Sequence, residues 1–232
     1  MEHQRTTRVQ IAGISSLADA LAVERAGADA IGFTLGLPDG PHNDLDEHHA
    51  RAIIRALPPL IAPVLITYHV TAEVVIPLAQ HLGVTTVQLH APAEPRELTA
   101  MRAAIPGLKL ILAVNVTGEA AIAAAVARAA HADALILDTY DPATGRHGAT
   151  GRTHDWALSR RIVQAVPCPV ILAGGLTPEN VRQAIVTVEP WAVDVHTGVE
   201  RPDGTTDHAR VRAFVTAARR AQTDGPVLSH QT

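Results

Sequence analysis

The chain has 232 residues, 47% of them hydrophobic and 18% charged, a balance that suits a buried continuous core and excludes a disordered polymer. Its formal net charge of -4 leaves no clustered basic surface to track a phosphate backbone, so no nucleic-acid partner is expected. The single cysteine, Cys168, excludes an internal disulfide and a multi-cysteine metal site. The first ten residues lack the apolar stretch of a secretory signal, and no run of about 18 apolar residues offers a bilayer span. A cytoplasmic protein with no membrane partner is therefore the expectation. Thirteen histidines are many for this length, but none forms an HExxH-type pair, so neither a metal nor any other cofactor is expected.

In chain order, short apolar runs alternate with longer Ala-rich segments of helical period, the pattern of an α/β fold. Strands are expected near Val9–Ile14, Ala28–Leu35, Pro63–Tyr68, Thr86–His90, Leu108–Val116, Ala134–Asp138, Val170–Ala173 and Ala192–Thr197. Each is almost continuously apolar, as a parallel strand buried on both faces must be. Helix starts are signalled by Ser15 or Ser16, by Asp44, and by Thr177-Pro178-Glu179, with a last helix over His208 to Ala221. Eight such pairs with no linker predict one (βα)8 TIM-barrel domain over 1–232, in which residues 222–232 form a flexible tail.

Barrels of this kind place reacting groups at the C-terminal ends of their strands. Those ends hold Ala12 and Gly13, the loop Gly36–Asp46, His69, His90, Asn115, Asp138, Gly174-Gly175 and His196-Thr197-Gly198. Two glycines in ILAGGLTPENV let backbone N–H groups approach an anion near a helix start, and AVDVHTGVE would supply the other half of the cradle. A lone Gly-Gly is more often a tight turn. Here two such turns fall after the seventh and eighth strands, where barrels bind phosphate, so Gly174, Gly175, Thr197 and Gly198 are expected to hold a phosphorylated small molecule.

VQIAGISSLADALAVERAGADAIGF, VQLHA, LILDT, HGATGRTHDW, LAGGLTPENVRQAI and VDVHTGVE follow one another in the order and spacing of phosphoribosylanthranilate isomerase, and the whole chain resembles that family. The resemblance implies an Amadori rearrangement, in which the ribose of a phosphoribosyl amine opens and a proton leaves C2 to give a ketose. It places the acid on Asp138, and Gln88, His90 and Gly151 among the substrate-facing positions. The family's base is a cysteine in the motif KxCGIT; this chain reads Gln10-Ile11-Ala12-Gly13-Ile14-Ser15, so alanine stands in its place and Gln10 in the lysine's. His42 falls where the family carries an arginine for the anthranilate carboxylate.

Asp138 could instead merely cap a helix or order a loop, and most histidines are solvated or structurally satisfied. Histidine is still the side chain best suited to replace a lost base near neutrality, and His196 ranks before His69 as the candidate. Strand alternation puts Asp194 and His196 on one side and Val193 and Val195 on the other. Asp155 reads as a helix cap and Trp156 as packing. The expected function is an isomerase acting on a phosphoribosyl or related sugar phosphate, with altered base and aglycone. A lyase or epimerase on a phosphorylated metabolite and a non-catalytic phosphate binder are the alternatives. Oligomeric state is not legible from apolar barrel faces.

Overall fold

The computed structural model describes residues 6–37, 45–141, 146–147 and 153–221. The tail expected at 222–232 lies outside them, as do His42 and Gly151. The elements alternate as β1 (Arg8–Ile11), α1 (Leu17–Arg25), β2 (Ala30–Leu35), α2 (Glu47–Ala56), β3 (Ala62–Thr67), α3 (Ala72–Leu82), β4 (Thr86–Leu89), α4 (Pro95–Ala104), β5 (Lys109–Asn115), α5 (Ala120–Ala129) and β6 (Ala134–Asp138). After a short hairpin of β7 (Tyr140–Asp141) and β8 (Arg146–His147) come α6 (Trp156–Ala165), β9 (Val170–Leu172), α7 (Val181–Val188), β10 (Ala192–Val195) and α8 (His208–Arg220). The eight longer strands close a parallel barrel in the order β1-β10-β9-β6-β5-β4-β3-β2. The β7–β8 hairpin, antiparallel after the sixth barrel strand, is an addition that apolar periodicity does not reveal.

Sequence polarity explains where the helices start. The Ser16 hydroxyl accepts from the Asp19 N–H, Asp46 from that of His49, and Asp155 from those of Ala157 and Leu158. The second helix thus begins from Asp46; Asp44, the expected start, lies outside the described residues. Six of the eight barrel strands stop one to three residues earlier than the apolar runs suggest. Gly13 and Gly174 adopt φ of 75° and 81°, which ends the extended backbone after β1 and β9, and Thr197–Val199 coils into a 3-10 turn after β10.

Alternation along the strands divides the core into two layers. Val9, Ile11, Val87, Leu89, Val193 and Val195 pack outward with Phe33, Phe214 and the helix faces. Ala12, Val64, Ile66, Ile111, Ala113, Ala134, Ile136, Ile171, Ala173 and Ala192 fill the interior. Half of this inner layer is alanine, which leaves space for buried polar groups above it.

Closure depends on the last helix meeting the first strand. Arg219 of α8 donates to the Thr7 carbonyl at 2.6 Å, the Gly27 carbonyl at 2.9 Å and Asp29 at 2.8 Å, while Asp29 accepts from the Val9 N–H at 2.7 Å. Arg219→Met keeps the aliphatic stem and removes all three donors. Urea unfolding of this variant should show a loss of about 1–3 kcal/mol, the range for charge-assisted hydrogen bonds in a partly buried setting; an unchanged midpoint would show that closure does not need the clamp.

Candidate active site

At the C-terminal mouth of the barrel, β6 ends on Asp138, a buried carboxylate that accepts from the Thr139 N–H at 2.7 Å. Burial pushes its pKa up to about 6, against the lowering effects of that hydrogen bond and of a nearby His196 charge. Tyr68, just beyond β3, lies with its ring 5.4 Å from that of His90. Burial, helped by the Asp138 charge, raises the Tyr68 phenol to about 12 and keeps it protonated. His90 follows β4 and turns Nδ1 toward Asp138 Oδ2 at 3.9 Å.

Across the mouth, the His196 ring lies over the backbone of Gly13, where any Cβ would overlap it. Glycine is required there both for this contact and for φ of 75°. Nε2 of His196 is 3.0 Å from Glu200 Oε1, and both side chains are mostly buried. Because an ionised carboxylate only accepts, the proton of neutral His196 sits on Nε2 and the lone pair on Nδ1. Ala12, beside Gly13, belongs to the interior layer, so a longer side chain at that position would enter the barrel.

The two glycine turns are joined. A Cβ on Gly198 would overlap the Leu176 carbonyl oxygen, so the turn after β10 can touch the one after β9 only because residue 198 is glycine. Asn180 accepts from the Thr177 N–H at 2.8 Å and donates to the Gly175 carbonyl at 2.9 Å. Arg210 of α8 donates to the Gly198 carbonyl at 2.9 Å and pairs with Glu179 at 3.1 Å, holding both turns from behind. Among the described residues, the N–H groups of Gly174, Gly175 and Gly198 have no hydrogen-bond acceptor, so they remain available to an anion.

Beneath these groups runs a chain of buried polar side chains. Gln10 Nε2 donates to Asp194 Oδ1 at 2.9 Å and to Gln88 Oε1 at 3.0 Å, and Gln88 Nε2 lies 2.7 Å from His90 Nε2. Burial, with a smaller contribution from the Asp138 charge, raises Asp194 to about 7.

A buried acid at a barrel strand end, opposite a carboxylate-paired imidazole and beside an amide-lined turn, is an arrangement able to move a proton on an anionic ligand. The sequence profile of N-(5'-phosphoribosyl)anthranilate isomerase matches residues 9–217. The chain belongs to the phosphoribosylanthranilate isomerase family. N-(5'-phosphoribosyl)anthranilate isomerase 2 of Methanosarcina mazei is 41% identical over 212 residues, covering 91% of this chain and 94% of that protein. The crystal structure of phosphoribosyl anthranilate isomerase from Thermotoga maritima matches with a TM-score of 0.80 at 33% identity, over 92% of this chain and 99% of that one. A further crystal structure, of phosphoribosyl anthranilate isomerase in complex with reduced 1-(o-carboxyphenylamino)-1-deoxyribulose 5-phosphate, matches with a TM-score of 0.77 at 31% identity, over 92% and 99% of the two chains.

On this phosphoribosylanthranilate isomerase frame, Asp138, His90, Gln88 and His196 gather at one end of the barrel with Gly174, Gly175, Thr197 and Gly198. His69 does not join them. It is exposed, its ring lies over Gly36, and its N–H donates to Thr67 Oγ1 at 3.2 Å. Strand alternation gives its neighbour Tyr68 the inward place instead. Sequence reasoning missed Tyr68, Glu200, Arg210 and the Asp194–Gln10 contact. Only Glu200 left a local signal, the i,i+4 spacing from His196 across a short turn. His154 sits 2.6 Å from Ser159 Oγ, and burial lowers its pKa to about 4. Among the described residues, no cluster of His, Cys, Asp and Glu could hold a metal, and no helix is long and apolar enough to cross a membrane.

The raised Asp138 has a consequence for stability. Its folded pKa of about 6 lies above the ordinary 3.8, so the folded protein holds this proton more tightly than the unfolded chain does. The resulting stabilisation is fully present below pH 3.8 and lost as pH rises through about 6. Asp138→Asn, permanently neutral, should therefore match the wild type in melting temperature below pH 3.8, gain on it as pH rises to about 6, and keep that gain unchanged above it. A melting difference independent of pH would contradict the burial argument.

Proposed function

We propose that this protein isomerises an N-(5'-phosphoribosyl) amine to the corresponding 1-amino-1-deoxyribulose 5-phosphate, with Asp138 as the acid and His196 as the base. The observation that carries this reading is the buried Asp138 carboxyl, raised to about 6 and facing a mouth lined by His196 and the phosphate turns. A carboxyl with such a proton affinity can protonate the ribose ring oxygen and take the proton back near neutral pH. Ring opening leaves an imine that acidifies the C2 hydrogen. His196 removes that proton through Nδ1, its Nε2–H held by Glu200, and the enaminol tautomerises to the ketone. The phosphate end is bound by the N–H groups of Gly174, Gly175 and Gly198, and the substrate supplies all atoms of the product. Names and ligands of relatives agree with a phosphoribosyl substrate: the Methanosarcina mazei relative is called an N-(5'-phosphoribosyl)anthranilate isomerase, and the ligand in one matching structure carries a deoxyribulose 5-phosphate.

Two features support an altered base and aglycone. Ala12 has no titratable group, and the His196 imidazole lies beside it, over Gly13. Among the described residues, the loops after β1 to β5 contain no lysine or arginine to clamp an aglycone carboxylate. His42 and Gly151, which the resemblance places near the ligand, fall outside the described residues and remain part of the proposal.

With the purified enzyme, His196→Asn should lower kcat at least about a hundredfold and leave KM within a few fold, because an acid–base contribution is removed while the phosphate turns are untouched. Near-normal turnover would overturn the base role of His196. In a separate comparison, N-(5'-phosphoribosyl)aniline should be turned over at least as well as N-(5'-phosphoribosyl)anthranilate, and the wild-type gene should fail to restore growth to a tryptophan auxotroph lacking this isomerase. Efficient rescue would establish anthranilate as the aglycone.

A further inference from the structure

The buried chain from Asp194 to His90 has a direction that its chemistry determines. Gln10 turns its amide nitrogen to Asp194 Oδ1 at 2.9 Å, the orientation an ionised carboxylate requires. That same nitrogen spends its second N–H on Gln88 Oε1 at 3.0 Å. With its oxygen committed to Gln10, Gln88 presents its own amide nitrogen to His90 Nε2 at 2.7 Å. An amide nitrogen accepts nothing. His90 Nε2 must therefore be the acceptor, which makes His90 a neutral imidazole with its proton on Nδ1, the nitrogen 3.9 Å from Asp138 Oδ2.

We propose that Asp194, Gln10 and Gln88 form a tautomer lock, in which Asp194 is a positioning residue that holds His90 neutral and points its Nδ1–H toward Asp138. Reversing the tautomer requires turning both amides together, which would set the Gln10 oxygen against Asp194 whenever that carboxyl is ionised. Protonating His90 at Nε2 would set one N–H against another from Gln88. Both alternatives leave buried polar groups facing like partners, a cost the low-dielectric interior magnifies. The last link, from Nδ1 to Asp138 Oδ2, measures 3.9 Å, longer than a hydrogen bond, and sets the direction of Nδ1–H rather than binding the carboxylate. The groups around Asp194 support a lock and not a second acid. Gln10 bonds it from β1, the register of β10 on β9 (Val193 opposite Leu172) brings the interior residue Ala173 beside it, and the carboxylate whose charge acts on it is Asp138 of β6.

This inference rests on the reading of Asp138 as the acid only for its catalytic consequence; the lock itself is read without substrate. In protein labelled with 15N-histidine, long-range 1H–15N spectra should show His90, identified by its loss in His90→Gln, with Nδ1 protonated and Nε2 bare. Gln88→Glu is nearly isosteric and places an acceptor against Nε2, so the proton should move to Nε2. Gln10→Met releases Gln88 to take either orientation, and the two tautomers should both appear. Circular dichroism and melting establish that each variant is folded; if Gln88→Glu does not fold, the wild-type and Gln10→Met spectra decide. A wild-type spectrum with Nε2 protonated, or a folded Gln88→Glu that keeps the wild-type tautomer, would overturn the lock. Where the tautomer reverses, kcat should fall at least about tenfold with KM little changed, as for loss of one oriented donor. Unchanged kcat in that variant would overturn the positioning role. Loss of turnover in Asp138→Asn alongside a wrong His90 tautomer would defeat the lock and leave the acid reading standing.

Discussion

A closed eight-stranded barrel admits only every second residue of each strand to its interior, and both the packing and the chemistry of this protein depend on that constraint. The inner layer is built largely from alanine, valine and isoleucine, with ten such residues packed together below the mouth. The five alanines among them leave room for Gln10, Gln88 and Asp194 in the same space. The outward residues of the same strands are larger and meet the helices, which hold the cylinder closed. Polar groups that in solution would be indifferent to orientation become directional here, because burial removes the solvent that would accept a misplaced hydrogen bond.

The same confinement raises both buried carboxylates. Asp138 and Asp194 move up for one reason, loss of solvation, and each is tempered by a hydrogen bond that favours its charged form. The result is a pair of carboxyl groups whose proton affinity is raised at positions where solvent-exposed aspartates would be fully ionised. Tyr68 moves further from ionisation in the same surroundings, so it can act as a hydrogen-bond donor but not as a base. His196 differs in being held by Glu200 at the rim, where an imidazole can be oriented without being sealed from solvent.

Mouth and phosphate turns are mechanically continuous. Gly198 must be glycine to let its turn reach the Leu176 carbonyl, Asn180 secures the turn after β9, and Arg210 ties both to α8. The His196 side chain leaves the barrel immediately before the same turn. A ligand phosphate bound there would thus be in register with the imidazole, since both are carried by four consecutive residues, His196 to Val199.

Much of this architecture is legible in the amino-acid order. Continuous apolar runs separated by helical periods specify a buried parallel sheet; Asp138 at the end of LILDT and the Gly174-Gly175 turn are visible because local sequence alone ends those strands. Parity along the eighth barrel strand is enough to place Asp194 on the inner side. The order of residues does not show which inner residues meet. Gln10 touches Gln88 across 78 positions of sequence and Asp194 across 184, contacts that exist only once barrel closure sets β1 beside β10 in a defined register. The inward place of Tyr68 in preference to His69 depends on where β3 ends, and the clamp of Arg210 depends on α8 packing back over the first and last strands. Local periodicity is a property of the chain; these pairings are properties of a closed surface, and the hydrogen bonds that give the site its direction belong to the second kind.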